Sequence, residues 1–369
     1  MKYFSAPADF KLDTIDRIHE LNVTYNNSRL TETYGQATSV PIFGSGRVTE
    51  ALPQVDLKEL EKYISYGRKR GIYFNYTLNP SCMGNVEFTK AGITELIKLL
   101  RTLKNIGVES LTLTSPQMIE LVQIADFGFK VKASAICEIT TPGKSLFYKD
   151  SNIERIVVDP DITRDFNNLK GICKVFGDGV EIIVNNVCYK NCAYKMFHYN
   201  HEAHCISQNA EHIKDYFSNR CSIQKARNFK NIIRLNWIRP EDLQYYIAVG
   251  IHHFKIQGRQ NILRGDIVKT LKYYFSEEYD GNLYDLITLF APYNSFQPYI
   301  NNKKLDGFVK RFYDYPNFCN DLCGACGYCE SIAKMCMDLE QVEDLNAKAL
   351  EFYGSMDNFT KEVRTHETL

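Results

Sequence analysis

Long apolar runs are missing from this chain. Nowhere do about 20 consecutive apolar residues occur, the length a helix needs to cross a bilayer. The first residues, MKYFSAPADFKLD, carry no apolar stretch of the kind that serves as a secretory signal. A cytoplasmic location without membrane attachment is therefore expected. Charge of one sign is missing too: 44 Lys and Arg balance 44 Asp and Glu. Nothing advertises a broad polyanion-binding surface, although a local basic groove fits inside a neutral total. There is no internal repeat and no low-complexity segment. The H-E-x-x-H helix of common zinc proteases is absent, since HYNHEAH (198–204) is a different pattern. The G-x-S-x-G nucleophile elbow is absent as well, because GSG at 44–46 lacks the outer spacing. A Cys–His peptidase stays open, because such pairs are assembled in space and not in sequence.

What is present is an ordinary globular composition, 44% hydrophobic and 24% charged, over 369 residues. That length suits one large α/β barrel with an extension, or two to three smaller domains. Twelve cysteines stand out. In a reducing cytosol they are read as metal ligands before disulfides. Cys82, Cys137 and Cys173 are isolated. Cys188, Cys192, Cys205 and Cys221 share a central stretch. Cys319, Cys323, Cys326, Cys329 and Cys336 crowd the segment CNDLCGACGYCESIAKMC. Within it, C-x2-C-x2-C is the core of a ferredoxin-type loop, and Gly324 and Gly327 permit its tight turns. Four thiolates at Cys319, Cys323, Cys326 and Cys329 suit a [4Fe–4S] cluster or a structural zinc. The bland reading is a set of buried free thiols. In the central group the wide spacing implies ligands from several loops. His198, His201 and His204, which lie among them, read as supporting groups or plain surface residues.

Short β-rich runs alternate with amphipathic stretches through the first 275 residues. The candidate strands are 30–37, 71–78, 109–115, 129–136, 155–159, 180–186, 232–237 and 252–258. Eight β–α units predict a TIM-type α/β barrel over residues 1–276, with an open doubly wound sheet as the alternative. Residues 277–369 read as a cysteine-rich C-terminal extension carrying a metal-binding segment at 319–336. In a barrel, function gathers at the C-terminal strand ends. Asn79, Cys82, Ser115, Cys137, Glu138, Asp159, Arg164, Asn185, Asn186, Cys188, Arg239, Gln257 and Arg259 follow the apolar runs. Arg239, Lys255 and Arg259 are the candidate anchors for an anionic substrate, since guanidinium and ammonium groups bind carboxylates and phosphates. The alternative for each is an ordinary ion pair.

The segments VEIIVNNVCYKNC, HYN, RCSIQ, WIRPEDLQYY and FKIQGR, with YTLNPSC and DITRDF, resemble the collagenase-like peptidase family U32. Glu181 matches the family's Glu, whereas Asn186 stands near its Gly position and Cys188 is about one residue out of register. The resemblance implies a TIM-type barrel and two kinds of activity. One is peptide hydrolysis. The other is oxygen-independent hydroxylation or a related modification of RNA or a small molecule, with a [4Fe–4S] cluster on four cysteines and, in some members, prephenate as co-substrate. Carried over by position, the ligands are Cys188, Cys192, Cys205 and Cys221, with Cys82 or Cys173 as replacements for one of the last two. Some members act as pairs of related chains, so a paralogous partner and an electron-transfer subunit role are also implied.

Overall fold

The computed structural model describes residues 1–39, 44, 47, 52–207, 213, 215–291 and 296–366, with the side chains of 205–207 and 366 outside the description. Ten strands occur among these residues: β1 (Lys2–Pro7), β2 (Ser28–Gly35), β3 (Tyr73–Leu78), β4 (Ser110–Leu113), β5 (Lys130–Ala133), β6 (Arg155–Val157), β7 (Val180–Ile183), β8 (Asn185–Tyr189), β9 (Leu235–Trp237) and β10 (His253–Lys255). Eight close into a parallel barrel in the order β1, β10, β7, β6, β5, β4, β3, β2. Apolar runs such as Val180–Ile183 supply side chains to both faces, as a strand covered by helices on one side and the barrel interior on the other requires. Amphipathic helices cover the outside. Leu57–Arg68 begins at a reciprocal Asp56–Glu59 capping box and turns Leu60, Tyr63 and Ile64 inward. Lys90–Asn105 begins at a Thr89 cap and buries Leu96, Leu99, Leu100 and Leu103. The chain is a TIM-type α/β barrel.

Two strand assignments differ from the sequence pattern. IIRLNW (232–237) was expected inside the barrel. Its last three residues form β9, which pairs antiparallel with β8 in a ribbon outside the barrel. Leu235 and Trp237 are fully buried there, so the run looks as apolar as a barrel strand. The place is taken by β1, KYFSAP, whose Lys2 and Ser5 weaken its apolar signature. Both side chains are buried with acidic partners, Lys2 with Glu277 and Ser5 with Glu181.

The residues beyond the helix Ile267–Ser276 continue the same apolar core through Leu283, Leu286, Ile300, Phe308 and Val342. Four helices complete the chain: Phe308–Asp314, Tyr328–Cys336, Leu339–Ser355 and Asn358–His366. Among the described residues no helix is long and apolar enough to cross a membrane.

Candidate functional site at the barrel mouth

The barrel interior is polar. Lys132 on β5 reaches Glu32 Oε1 at 2.5 Å and Glu181 Oε2 at 2.7 Å, and Ser5 Oγ donates to the same Glu181 carboxylate. Burial opposes the Glu181 charge, but Lys132, Lys255 and Arg155 outweigh it and hold the carboxyl well below the ordinary range. Further toward the C-terminal strand ends sits Lys255, the last residue of β10. Its Nζ lies 3.4 Å from the centre of the Tyr34 ring and has no hydrogen-bond partner. Burial drives its pKa down to about 7, with Glu181 pulling the other way. Arg259 is buried as well and donates to Thr77 Oγ1 at 2.9 Å. Burial first, and then Arg47, lower its pKa to about 10.

These groups open into a pocket of about 660 Å³. Its described lining includes three cations, Arg47, Lys255 and Arg259, and no carboxylate. Thr77, Asn79, Ser134, Asn186 and Gln257 supply neutral hydrogen-bonding groups. The loop after β10 is tied to β8 through Asn185. Asn185 Nδ2 donates to the carbonyls of Gln257 (2.9 Å) and Ile287 (3.0 Å), and its Oδ1 accepts from Gln257 N at 2.7 Å. A larger cavity of about 1060 Å³ lies at the opposite end, lined by strand-start residues such as Tyr3, Lys130, Arg155 and His253. In this fold the catalytic face is the other one, where the βα loops converge, so the mouth pocket is the candidate site.

The central cysteines lie outside the described lining of that pocket, and Cys188 is linked to it through Tyr199. Cys188 is on β8, Cys192 is in the loop after it, and Cys221 is on the helix Tyr216–Ala226. Burial, then the neighbouring Cys221 and Cys192, push the Cys188 thiol up to about 11. Cys192 is raised by burial and by Cys221. Tyr199 lines the pocket and lies in the field of Cys188, so thiols and pocket are neighbours. Cys205 falls on the helix Lys195–Ser207, but its side chain lies outside the described atoms. Lys195 from that helix is clamped by Asp159 (2.6 and 2.7 Å) and Asp161 (2.9 Å), which fixes the segment over the strand ends. His198 stacks on Phe217 at 5.3 Å, and His201 meets the same ring edge-on.

The C-terminal four, Cys319, Cys323, Cys326 and Cys329, line one pocket with Lys230 and Arg234. All described cysteines are free thiols. Among the described residues no group of three or more His, Cys, Asp or Glu side chains is gathered closely enough to hold an ion. The donor chemistry nevertheless fits a metal group in both places. Each place holds free thiols that act on one another electrostatically, Cys188 with Cys221 and Cys192, and Cys329 with Cys323 and Cys319. Thiolate is the metal-binding form of cysteine, and Lys225 and Arg47 beside Cys188, like Arg164 and Arg234 beside Cys329, favour it.

Of the three candidate anchors, Lys255 and Arg259 line the mouth pocket. Arg239 does not, and its assignment is corrected. Its guanidinium is buried against Asp242 (2.8 Å), Asp306 (2.9 Å) and the Asn302 carbonyl (2.8 Å), so it holds the extension to the ribbon. Arg164 is also turned away, over the rings of Trp237 and Phe308. Cys173 is on the outer helix Phe166–Phe176. Cys137 is buried, with its thiol directed at the Thr114 carbonyl (3.1 Å). Sequence reasoning missed Tyr34, Glu32 and Lys132. A charged residue inside a short apolar strand, as in KVKA or VEII, is the signal that would have found the interior charges.

A parallel eight-stranded barrel with a cationic mouth and a thiol-rich rim defines a class of α/β-barrel proteins, and comparison with known proteins narrows it. The sequence profile of peptidase family U32 matches residues 45–281. The chain is 30% identical over 342 residues to the uncharacterized protease MJ1657 of Methanocaldococcus jannaschii, covering 91% of this chain and 98% of that protein. The solved U32 peptidase Mk0906 shares the fold, with a TM-score of 0.50 and 16% identity over 70% of this chain and 94% of the other. The chain belongs to peptidase family U32.

Proposed function

We propose that this protein is a metal-dependent modifying enzyme. A centre held by Cys188, Cys192, Cys221 and Cys205 would act on an anionic small molecule, or a phosphate-bearing nucleotide of RNA, seated in the barrel mouth. The observation that carries this reading is a pocket with three cations and no carboxylate among its described lining, in which Tyr199 lies within electrostatic reach of Cys188. An iron–sulfur cluster there would supply one-electron chemistry or Lewis acidity suited to oxygen-independent hydroxylation. The protein's own groups do the rest. Arg259 and Arg47 attract the anion, and burial strengthens that attraction relative to water. Lys255 donates or accepts a proton near neutral pH, because its ammonium and amine are of similar stability there. Asn186 and Gln257, joined at 3.3 Å, offer neutral contacts that orient the ligand.

Two measurements test this. Protein prepared without oxygen should carry iron and sulfide that Cys188→Ser/Cys192→Ser removes. Titration with small dicarboxylates, of the prephenate type, and with nucleoside monophosphates should show binding that Arg259→Gln weakens at least tenfold. Iron-free protein after anaerobic reconstitution, or binding indifferent to Arg259→Gln, would sink the reading.

A hydrolytic reading has one observation in its favour besides the name of the relative. Lys255, near neutrality, shares the pocket with Ser134, the two residue types of a Ser–Lys hydrolase. Peptide cleavage by metal-free protein that Ser134→Ala abolishes would replace the first reading with this one.

A further inference from the structure

We infer that the cysteine loop at 319–329 is a second iron–sulfur site, and that it relays single electrons to the centre at Cys188 and Cys192. The inference rests on the redox reading of those central cysteines.

Three observations carry it. First, four cysteines in the order C-x3-C-x2-C-x2-C surround one pocket of about 420 Å³. Three of them fall within seven residues, Cys323 to Cys329, so one short segment sets them around that pocket. Second, the two cysteine loops touch. Asp321, between Cys319 and Cys323, accepts from Lys190 Nζ at 2.7 Å and from Asn191 Nδ2 at 3.3 Å. Lys190 and Asn191 are themselves between Cys188 and Cys192. The Cys319 thiol lies 3.6 Å from the same Asp321 carboxylate. A route from one loop to the other therefore needs only this carboxylate and one hydrogen bond. A purely structural zinc in a separate lobe would call for no such contact. Third, cations face the pocket. Lys230 and Arg234 line it, and Arg164, buried against Trp237 and Phe308, lies within electrostatic reach of Cys329 and Cys319. Four thiolates on a cluster carry net negative charge, and nearby fixed cations favour the form with one more electron.

Exposure sets the direction of flow. Cys319 and Cys326 are exposed, whereas Cys188, Cys192 and Cys221 are each only partly exposed. A soluble low-potential one-electron carrier protein therefore meets the outer loop more readily than the inner one. In each transfer the outer cluster gains one electron from the carrier and gives one to the inner centre. No bond is made or broken and no proton moves.

The test uses the full chain, reconstituted without oxygen with iron and sulfide. Iron, sulfide and zinc are counted for wild type, Cys188→Ser/Cys192→Ser and Cys323→Ser/Cys326→Ser, with Cys319→Ser/Cys326→Ser as a second outer pair because both sites are exposed. About eight irons in wild type and about four in each variant are expected. Dithionite-reduced wild type should show a magnetically split electron paramagnetic resonance signal, collapsing to simple signals in every variant. Zinc at the outer loop, or an iron count that the outer variants leave unchanged, would overturn the inference while leaving the central centre standing. Unsplit signals with about eight irons would remove the relay. About four irons lost only in the outer variants would keep the second site but overturn the relay and the central reading together.

Discussion

Lys255 behaves far from an exposed lysine. Its ammonium gives up water for the Tyr34 ring face and gains no hydrogen bond in return. Lys132 and Arg259 nearby oppose its charge, while Glu181 and Glu32 favour it. The pKa falls from 10.5 to about 7. Between those values the unfolded chain binds a proton that the folded chain does not. Stability from this residue is therefore fully present above pH 10.5 and is lost as pH falls to about 7. Lys255→Met should flatten that dependence and stabilise the protein at pH 6 by roughly a few kcal/mol, read from urea denaturation at pH 6 and pH 9. Anion binding should run the opposite way in wild type, weakening as pH rises through about 7. An unchanged stability slope in the variant would contradict this account.

Arg239 makes the contrasting case. It is equally buried but fully paired, and its partner Asp242 is only 3% exposed as a side chain whereas Asp306 is 68% exposed. Removing the guanidinium strands Asp242 without water, whereas Asp306 rehydrates. Arg239→Met should cost about 3–5 kcal/mol of stability and leave anion binding at the mouth unchanged. Loss of binding in a well-folded variant would return Arg239 to the site.

At the scale of elements, the β8–β9 ribbon does what a barrel strand could not. It carries Cys188 out of the barrel wall toward the C-terminal loops while staying fastened to the mouth. Ile238 N donates to the Val184 carbonyl at 2.7 Å, and Asn185 holds the Gln257 backbone from both sides. Asn185 is buried, so a leucine there would leave one amide and two carbonyls unsatisfied. Asn185→Leu should destabilise the fold by about 2–3 kcal/mol and weaken anion binding about tenfold, because Arg259 follows Gln257 in the released loop. Denaturation and ligand titration on the same preparation check both effects. Unchanged affinity would mean that the loop is positioned without Asn185.

For the whole molecule, the two cysteine loops are partly open to solvent. Cys319 and Cys326 are exposed, and Cys192 is only half-buried. A metal that binds the folded arrangement and not the open chain raises stability by mass action. Metal-loaded protein should therefore melt about 5–10 °C above the metal-free form. Identical melting curves with and without metal would argue that neither loop takes one.

The class of the molecule was legible locally. Alternating apolar runs and amphipathic stretches announce parallel β–α units, and tight cysteine spacing announces thiol-rich loops, because each signal is carried by neighbours in the chain. The place of Lys255 and Arg259 at the barrel mouth was legible for the same reason, since they stand at and just beyond the end of an apolar run. What sequence order could not express is which distant segments meet. KYFSAP closes the barrel because register with β2 and β10 satisfies its backbone, although its own pattern is mixed. IIRLNW, more apolar, leaves the barrel to pair with β8. Lys132 can lie buried inside the barrel only because Glu32 and Glu181, from other strands, meet it there. Lys190 meets Asp321 across 131 positions of chain. The sequence alone determined the parts and their periodicity. Tertiary structure decided charge pairing and loop contact, since burial makes a charge depend on whatever the fold brings beside it.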